Sequence, residues 1–399
     1  MKYVILVGDG MGDRPLPELA GRTPLEAAST PAMDRLAREG EISLLQTIPA
    51  GYPPGSDVAN LSLLGYRPEE CYTGRAPLEA ASMGVALASD EVAFRCNLVT
   101  LEHGETGAVT MVDYSAGHIG TDEARELVLA LERKLGGEGH RFYPGVSYRH
   151  LFVCRGGYPG LETVPPHDHT GRDVAAFWRR YLAFPDLAAI VEQAGRLLAD
   201  HPVNAARRRQ GHNPANSIWL WGEGKTPAMA TLKERYGLSG ALISAVDLLK
   251  GIGVCAGLEV VNVEGATGYL DTNYQGKAEA ALAAAARHDL VFVHVEAPDE
   301  AGHQGSLEKK IRAIEDFDAR IVRPIVDGLA GTEFRLALAM DHLTPLAIRT
   351  HAGEPVPVVI FDSRRKTGGA DGYSEKAAAA AGRRLADGRA FFETLLERR

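Results

Sequence analysis

Short, continuous hydrophobic runs alternate with helical patterns along much of the chain. The first run, residues 2–8, ends in Gly8-Asp9-Gly10, and later runs occupy 242–246, 258–263, 290–295, 336–340 and 356–361. Runs of this length, bounded by turn residues, are typical of strands buried on both faces. Segments rich in alanine or amphipathic in pattern separate several of them, notably 277–287 and 306–330. The pattern predicts an α/β fold with a mainly parallel sheet and helices on both faces.

The middle of the chain has a different rhythm. Strand-like patterns at 89–101, 150–155 and 216–221 occur with two amphipathic helical segments, 123–135 and 186–199. Because the buried runs lie before and after this part, we expect an inserted, smaller α+β lid or substrate-binding domain over 90–225. Residues 1–89 and 226–399 would then form the catalytic domain, and a length of 399 residues also favours two domains.

Charge and composition exclude several classes of protein. The net charge of -9 disfavours a nucleic-acid partner. No Cys-x-x-Cys pair occurs among the four cysteines, so we expect neither a zinc ribbon nor a redox dithiol, and a reduced cytoplasmic location is the default. No apolar stretch approaches the roughly 20 residues needed to cross a bilayer, so no membrane partner is expected. A homo-oligomer stays open.

Carboxylates and imidazoles follow, or lie close to, several of the buried runs. Each has an ordinary alternative as a helix cap, a turn residue or a packed histidine. Asp299 and His303 are four residues apart, which places them on one face of a helical turn, and ligands of open α/β sheets bind beyond the carboxyl ends of the strands. The joint pattern therefore predicts a site for a pair of divalent metals. Its members are Asp9, Asp299, His303, Asp341, His342 and His351.

Ser56, in Pro53-Pro54-Gly55-Ser56-Asp57, has two interpretations. It would serve as the N-cap of a helical segment over 58–64. Alternatively, a metal beside the hydroxyl and the N-terminus of that helix would favour the alkoxide, which would make Ser56 a phosphoryl acceptor.

Together these motifs resemble the archaeal-type cofactor-independent phosphoglycerate mutases of the alkaline phosphatase superfamily, over nearly the whole chain. Besides the three metal motifs, the resemblance rests on Asp9-Gly10-Met11-Gly12-Asp13, Thr23-Pro24-Leu25-Glu26-Ala27, Gly55-Ser56-Asp57-Val58-Ala59-Asn60-Leu61, Tyr72-Thr73-Gly74-Arg75-Ala76-Pro77-Leu78-Glu79-Ala80 and Ala93-Phe94-Arg95-Cys96-Asn97. It implies one metal held by Asp299, His303 and His351. It implies a second held by Asp9, Asp341 and His342, with Ser56 as both ligand and nucleophile.

The resemblance also implies an activity. A small phosphorylated substrate, 3-phosphoglycerate, would be interconverted with 2-phosphoglycerate through phosphoserine at Ser56, an isomerase reaction of glycolysis and gluconeogenesis. The cofactors would be two divalent ions, manganese or zinc before cobalt or iron, without 2,3-bisphosphoglycerate. Substrate anions would be bound by Arg75 and Arg95, because a guanidinium matches phosphate and carboxylate. Weaker candidates, for which a solvated surface position is the alternative, are Arg149, His169, Arg172 and Lys225.

Two stretches depart from the mutase pattern. Residues 113–118 replace an arginine-rich stretch, and 216–225 contain no arginine. These features are similar to a subgroup proposed as homoserine kinases of threonine biosynthesis, which would keep the phosphoserine chemistry with another donor and acceptor. A metal-dependent phosphatase is a further alternative. A non-catalytic, metal-stabilised binding protein is disfavoured because Asp9, Ser56, Asp299 and Asp341 are all present.

Overall fold

The computed structural model describes residues 1–105 and 107–397, which divide into two compact units. The first unit comprises Met1–Tyr72 and the chain from Ala228 onward, and the second comprises Thr73–Pro227. The second unit therefore begins before position 90, where the sequence pattern places the start of the insert, and it includes a helix over Ala76–Ser82.

The regular elements are numbered in chain order. The strands are β1 Lys2–Gly8, β2 Glu41–Leu45, β3 Glu91–His103, β4 Val109–Asp113, β5 His140–Val146, β6 Arg149–Arg155, β7 Ser217–Gly224, β8 Gly240–Ile243, β9 Glu259–Val261, β10 Leu290–Val295, β11 Phe334–Ala339, β12 Val356–Asp362 and β13 Arg384–Leu385. The α-helices are α1 Pro24–Ala27, α2 Pro31–Glu39, α3 Ser56–Leu63, α4 Pro68–Cys71, α5 Ala76–Ser82, α6 Thr121–Leu135, α7 Ala175–Leu182, α8 Pro185–Ala199, α9 Pro202–Arg209, α10 Leu232–Tyr236, α11 Asp247–Cys255, α12 Tyr274–Arg287, α13 Ala297–His303, α14 Leu307–Phe317, α15 Arg323–Gly328, α16 Glu375–Ala381 and α17 Gly388–Leu395.

The first unit is built on an eight-stranded sheet in the order β13-β2-β12-β11-β1-β10-β8-β9. All pairs are parallel except the two that β12 makes, with β11 and with β2. Every residue of β10, β11 and β12 is buried, so both faces of the sheet are covered, and α2, α11, α12, α16 and α17 pack against its strands. The prediction of an α/β fold with a mainly parallel sheet is confirmed.

Strand direction determines which chain segments meet at one edge of this sheet. β1 lies between β10 and β11, and its register pairs Gly8 with Val295 and Val7 with Ala339. The loops that follow these three strands therefore leave the sheet side by side. Because β12 is antiparallel to β11, the loop before β12 reaches the same edge. That reversal places His351 beside residues that follow the parallel strands.

The second unit contains an antiparallel sheet in which the long strand β3 pairs with β4, β6 and β7, and β6 also pairs with β5. Helices α6, α7 and α8 contribute apolar faces to its core, which includes the fully buried Trp219. The unit is a small α+β body.

The long helix predicted over 306–330 is interrupted. A π-helical turn over Asp318–Val322 separates α14 from α15. Pro324 lies in the first turn of α15, and a proline cannot donate the backbone hydrogen bond that a continuous α-helix requires. Within 1–105 and 107–397, no helix is long and apolar enough to cross a membrane.

Candidate functional site

Asp9 lies directly after β1 and is almost fully buried, with 1% of its surface exposed. The next residue, Gly10, has φ of +60°, and a Cβ atom there would lie 2.6 Å from Asp299 Oδ1 and 2.5 Å from Thr344 Oγ1. A side chain at position 10 would thus collide with α13 and with the loop that follows β11. The glycine lets the three chain segments approach closely enough for their carboxylates to meet.

Asp341 and His342 follow β11, and both are fully buried. Asp341 Oδ1 accepts from the backbone N–H of Gly10 at 3.1 Å and of His342 at 2.9 Å. Asp341 Oδ2 accepts from the Asn60 side chain at 3.0 Å. Nε2 of His342 lies 3.4 Å from Asp9 Oδ1 and 3.5 Å from Asp341 Oδ2. The structure therefore brings Asp9, Asp341 and His342 together.

Asp299 and His303 lie on α13 and face the same side, as their spacing predicts. His303 Nε2 is 3.2 Å from Asp299 Oδ2, and His351 Nε2 is 3.6 Å from Asp299 Oδ1. The two Nε2 atoms are only 3.0 Å apart. Thr344 donates its hydroxyl proton to Asp299 Oδ1. These contacts form a second group, which adjoins the first through Asp299.

The backbone contacts of His303 and His351 determine which ring nitrogen of each carries the proton. Nδ1 of His303 lies 3.0 Å from the carbonyl oxygen of Arg349, and Nδ1 of His351 lies 3.3 Å from that of Pro54. A carbonyl only accepts, so each Nδ1 carries a proton, and in a neutral ring each Nε2 then presents a lone pair. Two lone pairs and the Asp299 carboxylate thus converge, an arrangement that needs a positive charge at its centre.

The pKa directions agree with a site that needs cations. Burial raises the pKa of Asp9 well above its usual range, and the neighbouring Asp341 and Asp299 raise it further. Burial would also raise the pKa of Asp299, but hydrogen bonds with His303 and His351 hold it well below that range. Burial would lower the pKa of His303, yet Asp299 outweighs burial and raises it to about 9. In the absence of a metal, a proton on His303 would supply the missing charge.

Ser56 is the first residue of α3, and Gly55 occupies the N-cap position. The Oγ atom of Ser56 is 3.1 Å from Nε2 of His342, and the serine side chain does not cap the helix. Asn60, one turn later, donates to the Ser56 carbonyl oxygen at 2.9 Å and to Asp341 at 3.0 Å. The N-cap interpretation is therefore not supported, and the hydroxyl lies beside the carboxylate and imidazole groups.

Three overlapping groups in the described chain have donor atoms within 4.8 Å of one another, a spacing that suits a metal ion. They are Asp299 with His303 and His351, Asp9 with Asp299 and His342, and Asp9 with His294 and Asp341. Asp9 Oδ1 is buried and has no hydrogen-bond partner among these residues, so it is available as a ligand. Carboxylate and imidazole donors without thiolate match divalent metals. The donor set fits two such ions.

Comparison with known proteins gives the family. The family model for 2,3-bisphosphoglycerate-independent phosphoglycerate mutase matches residues 37–204. A protein of that name from Methanosarcina acetivorans is 56% identical over 365 residues, which cover 90% of each chain. The chain belongs to this family. The resemblance inferred from the motifs is confirmed.

Solved structures extend the mutase similarity to the whole fold. A Pyrococcus horikoshii protein matches with a TM-score of 0.82 and 31% identity, over 99% of this chain and 96% of its own. The cofactor-independent phosphoglycerate mutase from Thermoplasma acidophilum matches with a TM-score of 0.65 and 28% identity, over 100% and 99% of the two chains. Both units of the present chain thus belong to the mutase architecture.

Two of the arginines predicted to bind substrate in this mutase-family chain converge in the second unit. Glu79 lies between them, with Oε2 3.0 Å from Arg95 Nε and Oε1 3.5 Å from Arg75 Nε. The Arg95 guanidinium carbon lies 4.2 Å from the ring centroid of Trp221, its direct partner across the sheet. Burial lowers the pKa of Arg95 to about 10, Glu79 opposes this, and Arg75 and Arg149 add to it. Arg75 and Arg95 therefore share one carboxylate, and Arg149 adds positive charge near Arg95.

The remaining substrate candidates occupy varied positions in this unit. Arg149 begins β6, and its guanidinium lies 5.4 Å from the Tyr148 ring. The His169 ring lies 4.7 Å from that of Phe177, while the Arg172 side chain is exposed and its backbone bonds to Met111. Lys225 is exposed, and its carbonyl accepts from Thr73. Of these, Arg149 is the one with an electrostatic link to Arg95.

Sequence reasoning missed several residues that build the site. His294 lies inside β10 and contacts Asp9 at 2.9 Å, and the available signal was a polar residue in an otherwise apolar strand. Glu79 had a weaker signal, because it lies four residues after Arg75 and so could pair with it across one helical turn. Trp221 had none, because its contact with Arg95 depends on the strand register.

Proposed function

We propose that this chain catalyses the interconversion of 3-phosphoglycerate and 2-phosphoglycerate by phosphoryl transfer through Ser56. The observation that carries the proposal is the position of the Ser56 hydroxyl, 3.1 Å from His342 Nε2 within a buried set of three carboxylates. The names of relatives such as the Methanosarcina acetivorans mutase support the same reaction. In this proposal the chain is an isomerase that needs no 2,3-bisphosphoglycerate.

Ser56 would act twice in the reaction. Its hydroxyl loses a proton, and Oγ forms a bond to phosphorus as the bond from phosphorus to the C3 oxygen of the substrate breaks; that oxygen takes up a proton. The C2 hydroxyl of the bound glycerate then loses its proton and attacks the phosphorus, and Ser56 Oγ leaves and takes up a proton. Asn60 assists by holding the Ser56 carbonyl and Asp341 on one amide, which positions the hydroxyl relative to the carboxylates.

The metal ligands in this proposal are divided between two ions as the family resemblance implies. Asp299, His303 and His351 would hold one ion, and Asp9, Asp341 and His342 the other, with Ser56 as a further ligand. Bound divalent ions would neutralise the carboxylates, stabilise charge on the transferring phosphoryl group and favour the serine alkoxide. We propose manganese or zinc, with cobalt or iron as further options, because the set combines carboxylate and imidazole.

Recognition of the substrate anion falls to the second unit in this proposal. Arg75 and Arg95 both form ion pairs with Glu79, and the terminal nitrogens of a guanidinium can bind a carboxylate or phosphate as a planar fork. Arg149 adds positive charge to the same region. Phosphoglycerate carries both kinds of anion. The weaker candidates His169, Arg172 and Lys225 stay predictions that no observed contact supports.

The homoserine kinase alternative is not favoured. It rested on the missing arginines at 113–118 and 216–225, yet Arg75, Arg95 and Arg149 supply a cationic group elsewhere in the unit. The relatives named as mutases include one that is 50% identical over 99% of this chain, from Methanothrix thermoacetophila. We propose a role in glycolysis and gluconeogenesis, and a cytoplasmic location, on the basis of this reaction.

The decisive assay follows phosphorus by nuclear magnetic resonance with the metal-loaded protein. One sample contains 3-phosphoglycerate, and a parallel sample contains ATP and homoserine. We expect a 2-phosphoglycerate signal that grows to equilibrium without release of inorganic phosphate. Phosphohomoserine instead would establish the kinase, and stoichiometric inorganic phosphate would establish the phosphatase.

A further inference from the structure

His294 is a buried histidine that the proposed reaction does not use directly. It lies near the end of β10, is fully buried, and is paired in register with Val7 of β1. Its Nε2 atom lies 2.9 Å from Asp9 Oδ2. On the other side of the ring, Nδ1 lies 3.3 Å from the hydroxyl oxygen of Ser244, which follows β8. The three side chains thus form a row across neighbouring parallel strands.

The hydrogen bonds of Ser244 fix the proton of this ring. Ser244 Oγ already accepts from the backbone N–H of Val246 at 3.0 Å, so its own proton is free to be donated to His294 Nδ1. The neutral imidazole then carries its proton on Nε2. When Asp9 is ionised, as a metal ligand must be, a lone pair on Nε2 would face a carboxylate oxygen at 2.9 Å, which would be repulsive, whereas an N–H there donates to Asp9 Oδ2.

The two oxygens of Asp9 therefore have different surroundings. Oδ2 accepts from His294, whereas Oδ1 is buried, has no hydrogen-bond partner in the described chain, and lies 3.4 Å from His342 Nε2. A ring nitrogen that donates to a carboxylate has no lone pair left for a metal. This difference argues that His294 supports a ligand and is not itself one, although its distance from Asp9 and Asp341 would permit either role.

We propose that His294 is a positioning residue that anchors Asp9 through Oδ2 and leaves Oδ1 directed at the metal, with Ser244 fixing the tautomer. This inference rests on the proposed function, because it requires the metal site. Hydrogen bonds that orient a ligand typically change metal affinity about 10–100-fold when they are removed. The residue would act on metal affinity and ligand orientation without contacting the substrate.

The test compares His294→Leu, His294→Gln and Ser244→Ala in the full chain. The glutamine amide can donate near the position of the imidazole Nε2–H, whereas leucine cannot donate. Mn²⁺ and Co²⁺ are titrated calorimetrically into metal-free protein, and the visible absorption spectrum of the Co²⁺ form reports the ligand field. His150→Leu in the second unit is the control for loss of a buried histidine, since His150 Nδ1 accepts from the Gly145 N–H.

We expect His294→Leu to weaken binding of one ion by about 10–100-fold. His294→Gln should regain most of that affinity with a spectrum like that of the unaltered protein, Ser244→Ala should show a smaller loss, and His150→Leu should show none. If leucine at 294 leaves affinity and spectrum unchanged, the positioning role is wrong. If leucine and glutamine both eliminate one ion and alter the spectrum equally, His294 is a ligand and the inference is likewise overturned.

Two outcomes distinguish a failure of the inference from a failure of the proposed function. If the unaltered protein binds no divalent ion, the proposed metal site is wrong, and the inference about His294 is wrong as well. Should it bind two ions and show mutase activity while His294→Leu binds them equally well, only the inference fails. Circular dichroism establishes that each variant is folded, and Ser244→Ala with His294→Gln still discriminates if the leucine variant does not fold.

Discussion

The Oγ atom of Ser56 lies 3.1 Å from Nε2 of His342, although the two residues are 286 positions apart in the chain. Nothing local at Ser56 requires this contact, because Gly55 is the N-cap of α3 and the serine side chain does not cap the helix. Asn60 links the Ser56 carbonyl to Asp341 and so connects the start of α3 with the end of β11. The fold thereby delivers one hydroxyl to a buried group of acids and imidazoles.

Removal of that hydroxyl should abolish the reaction without loss of the fold. We predict that Ser56→Ala has no detectable mutase activity in a coupled assay, while its thermal unfolding temperature stays close to that of the unaltered protein. Ser62→Ala is a matched control on the same helix, because its buried hydroxyl donates to the Thr47 carbonyl. The control should lose about 1 kcal/mol of stability and keep its activity. Full activity of Ser56→Ala would exclude the nucleophile.

Asp299 should be essential for metal binding because two of the three groups of potential ligands include it. We predict that Asp299→Asn binds fewer ions per chain than the unaltered protein, measured by elemental analysis after dialysis, and that it is inactive. Removal of metal from the unaltered protein with a chelator should abolish activity, and added Mn²⁺ or Zn²⁺ should restore it. Activity that persists in thoroughly metal-free protein would contradict the account.

Arg95 should determine substrate affinity through its guanidinium. A lysine in its place keeps the charge but loses the planar guanidinium over Trp221 and the 3.0 Å contact between Nε and Glu79. Hydrogen bonds to charged groups contribute about 1.5–3 kcal/mol, so we predict that Arg95→Lys raises KM for 3-phosphoglycerate by roughly 10–100-fold. Arg196→Lys, at an exposed ion pair on α8, serves as the control and should be unchanged. Equal kinetics for both variants would remove Arg95 from the binding site.

Lys310 should hold in place the loops that follow β1 and β11, which carry proposed metal ligands. Its fully buried ammonium donates to the carbonyls of Gly12 and Thr344 and pairs with Asp13 at 2.9 Å. Removing one partner of a buried ion pair leaves an uncompensated charge, which costs about 3–5 kcal/mol. We predict a loss of this size for Lys310→Met in urea unfolding. The double variant with Asp13→Asn should recover part of it, and a loss below 1 kcal/mol for the single variant would argue against the role.

Stability in acid should depend on Asp362. Hydrogen bonds from Arg364 lower its pKa to about 2, and Arg335 and Arg364 add a favourable charge. A folded-state pKa below the unfolded value of about 3.9 means that the contribution is complete above pH 4 and is lost as the pH falls toward 2. We predict that Asp362→Asn unfolds at a lower temperature than the unaltered protein near neutral pH. The difference should shrink between pH 4 and pH 2, and a constant difference would contradict this assignment.

How far the site could be predicted depends on the direction of each strand. Asp9, Asp299 and Asp341 each follow an apolar run, and parallel strands end at one edge, so their convergence follows from the local pattern. His351 lies before a strand, and it reaches the cluster because β12 runs antiparallel. No local pattern shows that reversal, so His351 had the weakest local support among the predicted ligands.

Contacts that depend on strand register or on the hydrogen bonds of a buried side chain could not be predicted from the sequence. Arg95 meets Trp221 because β3 and β7 pair these two positions, and a shift of one residue would turn the side chains to opposite faces. His294 looked like part of a buried strand, since only the hydrogen bonds of Ser244 and Asp9 give it a chemical role. The π-helical interruption at Asp318–Val322 lies next to Pro324, and the helical periodicity of 306–330 gave no sign of it.

The most direct test is to trap the covalent intermediate. Metal-loaded protein is mixed with 3-phosphoglycerate, quenched in acid within the first turnovers, digested and analysed by mass spectrometry, with Ser56→Ala and metal-free protein in parallel. The account predicts a phosphorylated peptide with the phosphoryl group on Ser56 in the loaded, unaltered protein and in neither control. Turnover to 2-phosphoglycerate without a phosphoryl group on Ser56, or with one on another residue, would contradict it.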